Sequence, residues 1–314
     1  MDYYWKDIYN HKEEWEALEI KFTNPVVPAI RLLSGNNMRM KLVKDDQTLF
    51  WATISKDFWD ISVIRTFEET ARSIGNISSH EIEKRKDLTP EEKYKSWSRY
   101  FTEELIKNDN HFLYNSLWIL KGYKTNTRSL QYSCIYIEED NSAIIHTGEW
   151  DWSLLFSRQV DKDSGRMKWW RKKARENSLP PVLAWFIPSI GDYWIIDGNY
   201  RLQAALLEKK SISVIAAYSG YYKNNIIDPE KQKSMIKSAR EALKNKDKLT
   251  PKSITGINNA LLQAFDDRPV FTEQTFAKSK IKSDSEWIKE VCNYLKEINY
   301  PDWEKEMEYL IQRK

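Results

Sequence analysis

The residues of this chain whose types and spacing best suit chemistry lie in the segment Tyr193–Leu207, with the sequence YWIIDGNYRLQAALL. A buried strand, an Asp-Gly turn and an amphipathic helix follow one another there without a spacer. The first N–H groups of a helix lack intrahelical partners and carry the positive end of its dipole, so this turn offers hydrogen-bond donors to an anion. Gly198 allows the backbone to approach a ligand closely.

Each polar side chain of the turn has a candidate role. Arg201, in the first turn of the helix, can hold a phosphate through two hydrogen bonds, and we expect it to face solvent and to matter little for folding. Asp197, at the end of the strand, can accept a proton or hold Mg²⁺. On spacing alone, an ordinary connection between a strand and a helix, with Asn199 as a cap, explains the same residues.

Short apolar runs around the turn predict the scaffold that positions it. Val182–Ile187, Tyr193–Ile196 and Ile212–Tyr218 are rich in branched and aromatic residues and are predicted to be strands of one mixed sheet. Asn199–Lys209 has apolar residues at helical spacing, which predicts a helix that packs on this sheet.

Three stretches resemble the ParB/sulfiredoxin superfamily: Leu179–Ile187, Trp194–Ala205 and Ile212–Ile215. ParB-like members have a proline-containing strand, a Gly-x-x-Arg-x-x-Ala turn and helix, and a following strand. Gly198, Arg201 and Ala204 occupy those motif positions here. The resemblance covers less than a quarter of the chain.

The resemblance implies a nucleotide- or phosphate-binding domain. Many members have an arginine after their first strand, and Arg158 lies at that place. The implied contacts to the nucleotide or phosphate come from five residues: Arg158, Gly198, Asn199, Tyr200 and Arg201.

Two departures from the family pattern narrow the function. Asn199 stands where sulfiredoxin has a reactive cysteine, which argues against reduction of a sulfinic acid. Partitioning ParB proteins have a second phosphate motif, Glu-Asn-x-x-Arg, but Tyr221–Asp228 has no matching arginine. The Asp-Gly-x-x-Arg form is more similar to the branch with the free serine kinase and the DNA-modification-associated proteins. That branch implies an acidic residue early in the domain, here Glu149 or Asp151, as a general base or metal ligand.

Three functions stay open. The first is an enzyme that binds a nucleoside triphosphate with Mg²⁺ and hydrolyses it or transfers its phosphoryl group, with four candidate catalytic residues: Asp197, Arg201, Glu149 and Asp151. The second is a DNA-directed nuclease or modification accessory protein, in which a basic helix predicted over 166–177 contributes four contacts: Lys168, Arg171, Lys172 and Lys173. The third is a non-catalytic interaction protein on a degenerate fold.

Bulk composition bears on these alternatives. The 314 residues are 41% hydrophobic and 30% charged, as in globular proteins, and the net charge of +3 is too small to favour nucleic acid by electrostatics alone. Acidic residues near Met1 and the lack of a long apolar run predict neither a secretory signal nor a membrane span, so we expect a cytoplasmic location. The spacing of Cys134, Cys292 and the four histidines predicts neither a disulfide scaffold nor a zinc site.

The chain as a whole is predicted to have an α+β fold in three parts. Residues 1–148 form a mixed region of unknown role, 149–222 the ParB/sulfiredoxin-like domain with a small mixed sheet, and 223–314 a helical region. In the first part we expect helices over 56–73 and Pro90–Lys107, and a hairpin over 131–147. The lysine-rich stretch 231–248 is interpreted as a solvated helix face. Oligomeric state is left open.

Overall fold

A computed structural model describes most of the chain: residues 2–10, 12–23, 27–45, 47–55, 60–68, 72–124, 136–137, 142–148, 152–224, 228–244, 250–281 and 283–312. The chain forms two compact units. Unit 1 comprises Met1–Ser219 and Gln274–Lys314, and unit 2 comprises Gly220–Glu273.

The first sheet of unit 1, sheet A, contains the three strands predicted around the turn. In spatial order its strands are β1 (Tyr3–Tyr9), β2 (Trp15–Phe22), β7 (Leu117–Lys124), β13 (Ser213–Lys223), β11 (Val182–Ile187), β12 (Asp192–Asp197), β10 (Ser153–Leu155) and β8 (Tyr136–Ile137). β11 runs antiparallel to β12 and parallel to β13, and β10 runs parallel to β12 and β8. The prediction of one mixed sheet is confirmed.

The second sheet, sheet B, packs against sheet A. In spatial order its strands are β15 (Ala277–Lys280), β3 (Ile30–Ser34), β4 (Arg39–Lys44), β5 (Gln47–Ile54), β6 (Asp60–Arg65) and β9 (Ile144–Gly148). The ring centroids of Phe50 in β5 and Trp194 in β12 are 4.8 Å apart, which joins the cores of the two sheets.

Helices cover both sheets. In unit 1 they are α1 (Ser79–Glu83), α2 (Pro90–Lys107), α3 (Gly165–Arg175), α4 (Asn199–Leu207), α7 (Asp284–Glu297) and α8 (Trp303–Gln312). α2 packs on β2 and β7, α3 packs on α4, and α4 contacts β11. Helix α2 begins as its sequence predicts, because Thr89 and Glu92 form a reciprocal capping box in front of Pro90.

Unit 2 contains α5 (Pro229–Lys244), α6 (Pro251–Ala264) and β14 (Val270–Glu273). The end of β13, from Gly220 to Lys223, belongs to this unit and pairs antiparallel with β14. Helices α5 and α6 contact each other.

The α+β fold class is confirmed, and two local predictions are wrong. Asp60–Arg65, inside the stretch predicted as a helix over 56–73, is strand β6, because Ile61, Val63 and Ile64 are buried and a strand buried on both faces lacks the alternation that marks a half-buried strand. The hairpin predicted over 131–147 does not form between the described strands, because β8 belongs to sheet A and β9 to sheet B. The division of the chain into three functional parts stays a prediction.

Candidate functional site

The turn between β12 and α4 has the geometry that only glycine tolerates well. Gly198 has φ of 117° and ψ of 12°, in the left-handed region. A Cβ atom at this position would lie 2.9 Å from Nη2 of Arg201 and 3.1 Å from Cα of Val182. The close approach that the sequence predicted is therefore an approach of the turn to its own arginine and to strand β11.

Arg201 is buried, contrary to the expectation that it faces solvent. Its exposed fraction is 2%, and its Nη2 donates to the carbonyl oxygen of Pro181 at 2.9 Å and to Oδ2 of Asp197 at 2.8 Å. Its guanidinium lies 5.4 Å from the ring centroid of Trp170. The expectation was wrong because it assumed that a first-turn arginine projects outward, whereas this side chain folds back between the helix and β11.

One nitrogen of this buried arginine lacks a partner. Within the described part of the chain, Nε of Arg201 has no hydrogen-bond acceptor. Buried donors without partners are rare in folded proteins and cost free energy, so a site beside Arg201 that brings an acceptor would relieve this cost.

Asn199 ties the helix to the segment that follows β10. Its Oδ1 accepts from the backbone N–H of Ser157 at 2.9 Å, and its Nδ2 donates to Oγ of Ser157 at 2.9 Å. Both ends of the buried amide are therefore used inside the protein. These two hydrogen bonds place Arg158, the residue after Ser157, beside the turn.

A pocket of about 440 Å³ opens in front of the turn and is rich in arginine. Arg72, Arg166 and Arg201 line it together with Asp197, and Arg158 lines the adjoining recess around Gly198 and Tyr200. Four guanidinium groups thus surround one carboxylate. Apolar walls come from the following residues: Ile77, Trp169 and Trp170.

Arg166 carries the clearest electrostatic sign of an anion site. The half-buried guanidinium lies 5.0 Å from the ring centroid of Tyr200. Burial lowers its pKa, the positive charges of Arg72 and Arg201 lower it further, and the carboxylate of Asp197 opposes them. No ion pair holds Arg166 among the described residues. An anion in the pocket would offset this accumulation of positive charge.

Asp197 is the carboxylate of the pocket, and it is already paired. Its Oδ2 accepts a hydrogen bond from Arg201. Burial raises the pKa of Tyr100 to about 12, with smaller contributions from the charges of Glu104, Glu81 and Asp197. The described residues contain no group of three His, Cys, Asp or Glu side chains that could hold a metal ion. Among the described residues that line the pocket, a single carboxylate surrounded by arginines is not the oxygen-rich set of ligands that Mg²⁺ prefers.

The other residues predicted for the site lie apart from the pocket or outside the described structure. On α3, Arg171 pairs with Glu208 at 2.6 Å and Lys173 pairs with Glu176 at 2.9 Å, while Lys168 and Lys172 are exposed. Lys172 also lies 4.0 Å from Glu176, so three of the four cations of the predicted DNA track are paired with carboxylates. Glu149 and Asp151 lie outside the described residues.

Comparison with models of known protein families, with curated proteins and with solved structures finds no match to this chain. The resemblance to the ParB/sulfiredoxin superfamily therefore stays a prediction that depends on the motif residues. Among the helices of the described chain, none has the length and apolarity needed to cross a membrane.

Sequence reasoning missed two of the pocket arginines. Arg166 had a local signal, because Ser164 caps helix α3 through the N–H of Met167 and so places Arg166 in its first turn. Arg72 had none, since more than a hundred residues separate it from the turn and only the tertiary fold brings it there.

Proposed function

We propose that this chain binds a phosphate-bearing ligand, a nucleoside triphosphate in the first instance, in the arginine pocket in front of Gly198. The observation that supports this most directly is the excess of guanidinium groups over carboxylates around the N-terminus of α4. Guanidinium groups match the geometry of phosphate oxygens, and the helix dipole adds positive potential at the same place.

The arginines of the pocket divide into two roles in this proposal. Arg201 is a positioning residue, because it joins Asp197 to the carbonyl oxygen of Pro181 and fixes the turn. Arg166 and Arg72 are the ligand contacts, since both line the pocket and are less buried than Arg201: Arg166 is half-buried and Arg72 is exposed. Trp169, which is half-buried, offers an apolar surface to the remainder of the ligand.

Hydrolysis or phosphoryl transfer is the second part of the proposal. The oxygen of the attacking hydroxyl or water would bond to the terminal phosphorus of the triphosphate as the bond to the departing nucleoside diphosphate breaks. The arginines would stabilise the negative charge of this transition state, and Asp197 would accept the proton of the attacking group. Oδ2 of Asp197 accepts a hydrogen bond from Arg201, which leaves Oδ1 to accept this proton. No step depends on a metal ion held by the protein. A cytoplasmic location also stays a prediction.

Titration calorimetry with ATP tests the binding. Loss of a desolvated charged contact costs on the order of 2–5 kcal/mol, so Arg166→Ala should weaken ATP binding about thirtyfold or more. Lys168→Ala removes one charge from the exposed face of the same helix and is the matched control, with affinity close to that of the wild type. Equal affinity of wild type and Arg166→Ala, or no binding of ATP at all, would overturn the proposal.

Arg201 needs a different test, because it is buried. Arg201→Ala removes one partner of a buried ion pair, and we expect it to destabilise the fold by about 3–5 kcal/mol. Stability near that of the wild type would contradict the positioning role.

The DNA-directed alternative has its own signature. Under that alternative, the wild type and Arg166→Ala should bind duplex DNA equally well, and a Lys168→Ala, Lys172→Ala double variant should bind it more weakly. This result would favour DNA over the nucleotide as the ligand. Binding of neither ATP nor DNA would favour a non-catalytic interaction protein.

A further inference from the structure

Unit 1 has a second pocket, separate from the arginine pocket, where helix α2 meets the end of α3. Its volume is about 260 Å³. Four parts of the chain that are distant in sequence form it: the first two turns of α2, Lys124 at the end of β7, residues 174–181, and residues 211–213, which lead into β13. The volume lies just below the roughly 300–1,000 Å³ of pockets that hold drug-sized ligands, so the pocket suits a small molecule.

The floor of this second pocket is apolar. Trp97, Ala174 and Ile212 line it and are almost fully buried, and the half-buried side chains of Tyr94 and Leu179 add walls. An apolar ligand on this floor would remove its own apolar surface and the exposed parts of Tyr94 and Leu179 from water, which is favourable in proportion to the area covered.

Neighbouring residues hold both the floor and the walls of this pocket in place without a ligand. The ring of Tyr94 lies directly on the backbone of Gly122 in β7, where a Cβ atom would collide with it. Trp97 has the guanidinium of Arg85 at 4.4 Å from its ring centroid and the ring of Phe101 at 5.8 Å. Because these side chains are fixed by their neighbours, little conformational entropy would be lost when a ligand binds.

The polar part of the lining is basic. Lys93 of α2 and Lys124 at the end of β7 line the pocket, and no acidic residue is among the described residues around it. Neither lysine forms an ion pair with another described residue. Both lysines line the same pocket, so their positive charges would both attract an anionic group bound in it.

We propose that this second pocket binds a small amphipathic acid, with its apolar body on Trp97 and Ile212 and its anionic group at Lys93 and Lys124. Lysine interacts with an anion as a point charge and not as a two-point fork, so a single carboxylate is sufficient as the anionic group. This site is independent of the phosphate proposed for the arginine pocket, because the two pockets share no lining residue.

Titration calorimetry on the full chain with 3-phenylpropionate, its neutral amide 3-phenylpropionamide, and propionate separates the two halves of the proposal. The carboxylate should bind roughly tenfold more tightly than the amide, since two exposed ion pairs are lost with the charge. Propionate, which lacks the ring, should bind more weakly than phenylpropionate. No binding of phenylpropionate at millimolar concentration, or equal affinity of acid and amide, would overturn the proposal.

Variants locate the ligand. The Lys93→Ala, Lys124→Ala double variant should lower the affinity for phenylpropionate to that for the amide. A Lys168→Ala, Lys172→Ala double variant removes the same charge from the exposed face of α3 and should leave the affinity unchanged. The methyl NMR signals of Ala174 and Leu179 should shift on titration. Shifts confined to residues of the arginine pocket, or equal effects of the two double variants, would show that the acid binds elsewhere.

Discussion

Two pairs of helices near the end of the chain have similar amphipathic sequences but very different surroundings. Helices α7 and α8 of unit 1 bury large side chains against sheet B: Trp287, Val291, Leu295, Met307 and Leu310. Helices α5 and α6 of unit 2 bury only Ala239 among their described residues, and several of their apolar side chains are exposed: Leu243, Ile254 and Leu262. Hydrophobic periodicity therefore predicts a helix, but not what covers its apolar face.

Polar contacts differ between the two pairs in the same way. Helix α7 is joined to β4 by the ion pair of Lys41 with Glu290 at 2.8 Å and by the bond from Nε1 of Trp287 to the carbonyl oxygen of Met40 at 3.0 Å. In unit 2, Gln232 of α5 donates to the carbonyl oxygen of Ala264 in α6 at 3.2 Å. The first pair is part of the core of unit 1, and the second is supported chiefly by its own contacts.

The largest expected effect on stability comes from a substitution in the buried helix pair α7 and α8. Trp287 is fully buried, and Arg39 lies over its ring at 5.2 Å. Trp287→Ala should lower the free energy of unfolding by about 3–5 kcal/mol, since it opens a cavity and removes a hydrogen bond. Denaturant unfolding followed by circular dichroism measures it, with Ile311→Ala on the exposed side of α8 as the control. A loss below about 1 kcal/mol would contradict the comparison.

A glycine in unit 2 gives the next largest effect. A Cβ atom at Gly220 would collide with the carbonyl oxygen of Thr272 across the β13–β14 pair, so Gly220→Ala should cost roughly 1–3 kcal/mol and loosen β14. Hydrogen exchange should show faster exchange at Tyr222 and unchanged exchange in α7.

Gly256 in α6 is the matched control for that substitution. No atom lies within 4 Å of its Cβ position, so Gly256→Ala should stabilise the helix by about 0.5–1 kcal/mol. If Gly220→Ala and Gly256→Ala changed the free energy of unfolding by the same amount, the pairing of β13 with β14 would not be what stabilises unit 2.

Acid should act on the two units differently. His111 in unit 1 is 4% exposed, and burial lowers its pKa, with the Leu113 backbone and Asp109 opposing this only in part. The unfolded chain then binds a proton at this histidine more readily than the folded chain does. The contribution of neutral His111 to the free energy of unfolding is therefore fully present above about pH 6.5, and it is lost as the pH falls from there towards the lowered pKa.

Unit 2 contains no histidine, so this contribution is confined to unit 1. Hydrogen exchange between pH 7 and pH 5, corrected for intrinsic rates, should show loss of protection in sheet B before α5. His111→Gln should reduce the pH dependence in unit 1. An unchanged pH dependence in that variant would mean that another group titrates.

Strong local signals predicted the elements around the site well. The capping box at Thr89, the buried run of β11 and the Asp-Gly turn before α4 each agree with the structure, because neighbours in sequence determine them. The stretch around β6 was misassigned because its burial depends on partners that come together only in the folded chain: β5 and β9 pair with its two edges, and Ile64 packs in one core with residues of α7 and α8.

The candidate site was predicted only at its centre. Sequence placed Asp197, Gly198 and Arg201 together because they share one turn. It could not show that Arg201 folds back to Pro181, or that Arg72 comes to the same pocket, because both depend on how α4 packs against β11 and on the path of the chain before α1. The proposed function therefore gives Arg201 a positioning role in place of the predicted ligand contact.

The smallest expected effect tests the comparison most directly. Leu262 in α6 is 70% exposed, so replacing it with serine removes little buried apolar surface. Leu262→Ser should change the free energy of unfolding by no more than about 0.5 kcal/mol. Leu310→Ser is the matched substitution in α8, where the side chain is fully buried, and it should cost at least about 2 kcal/mol. Both are measured by denaturant unfolding at two protein concentrations, and a large, concentration-dependent loss in Leu262→Ser would mean that a second copy of the chain covers α6 in solution.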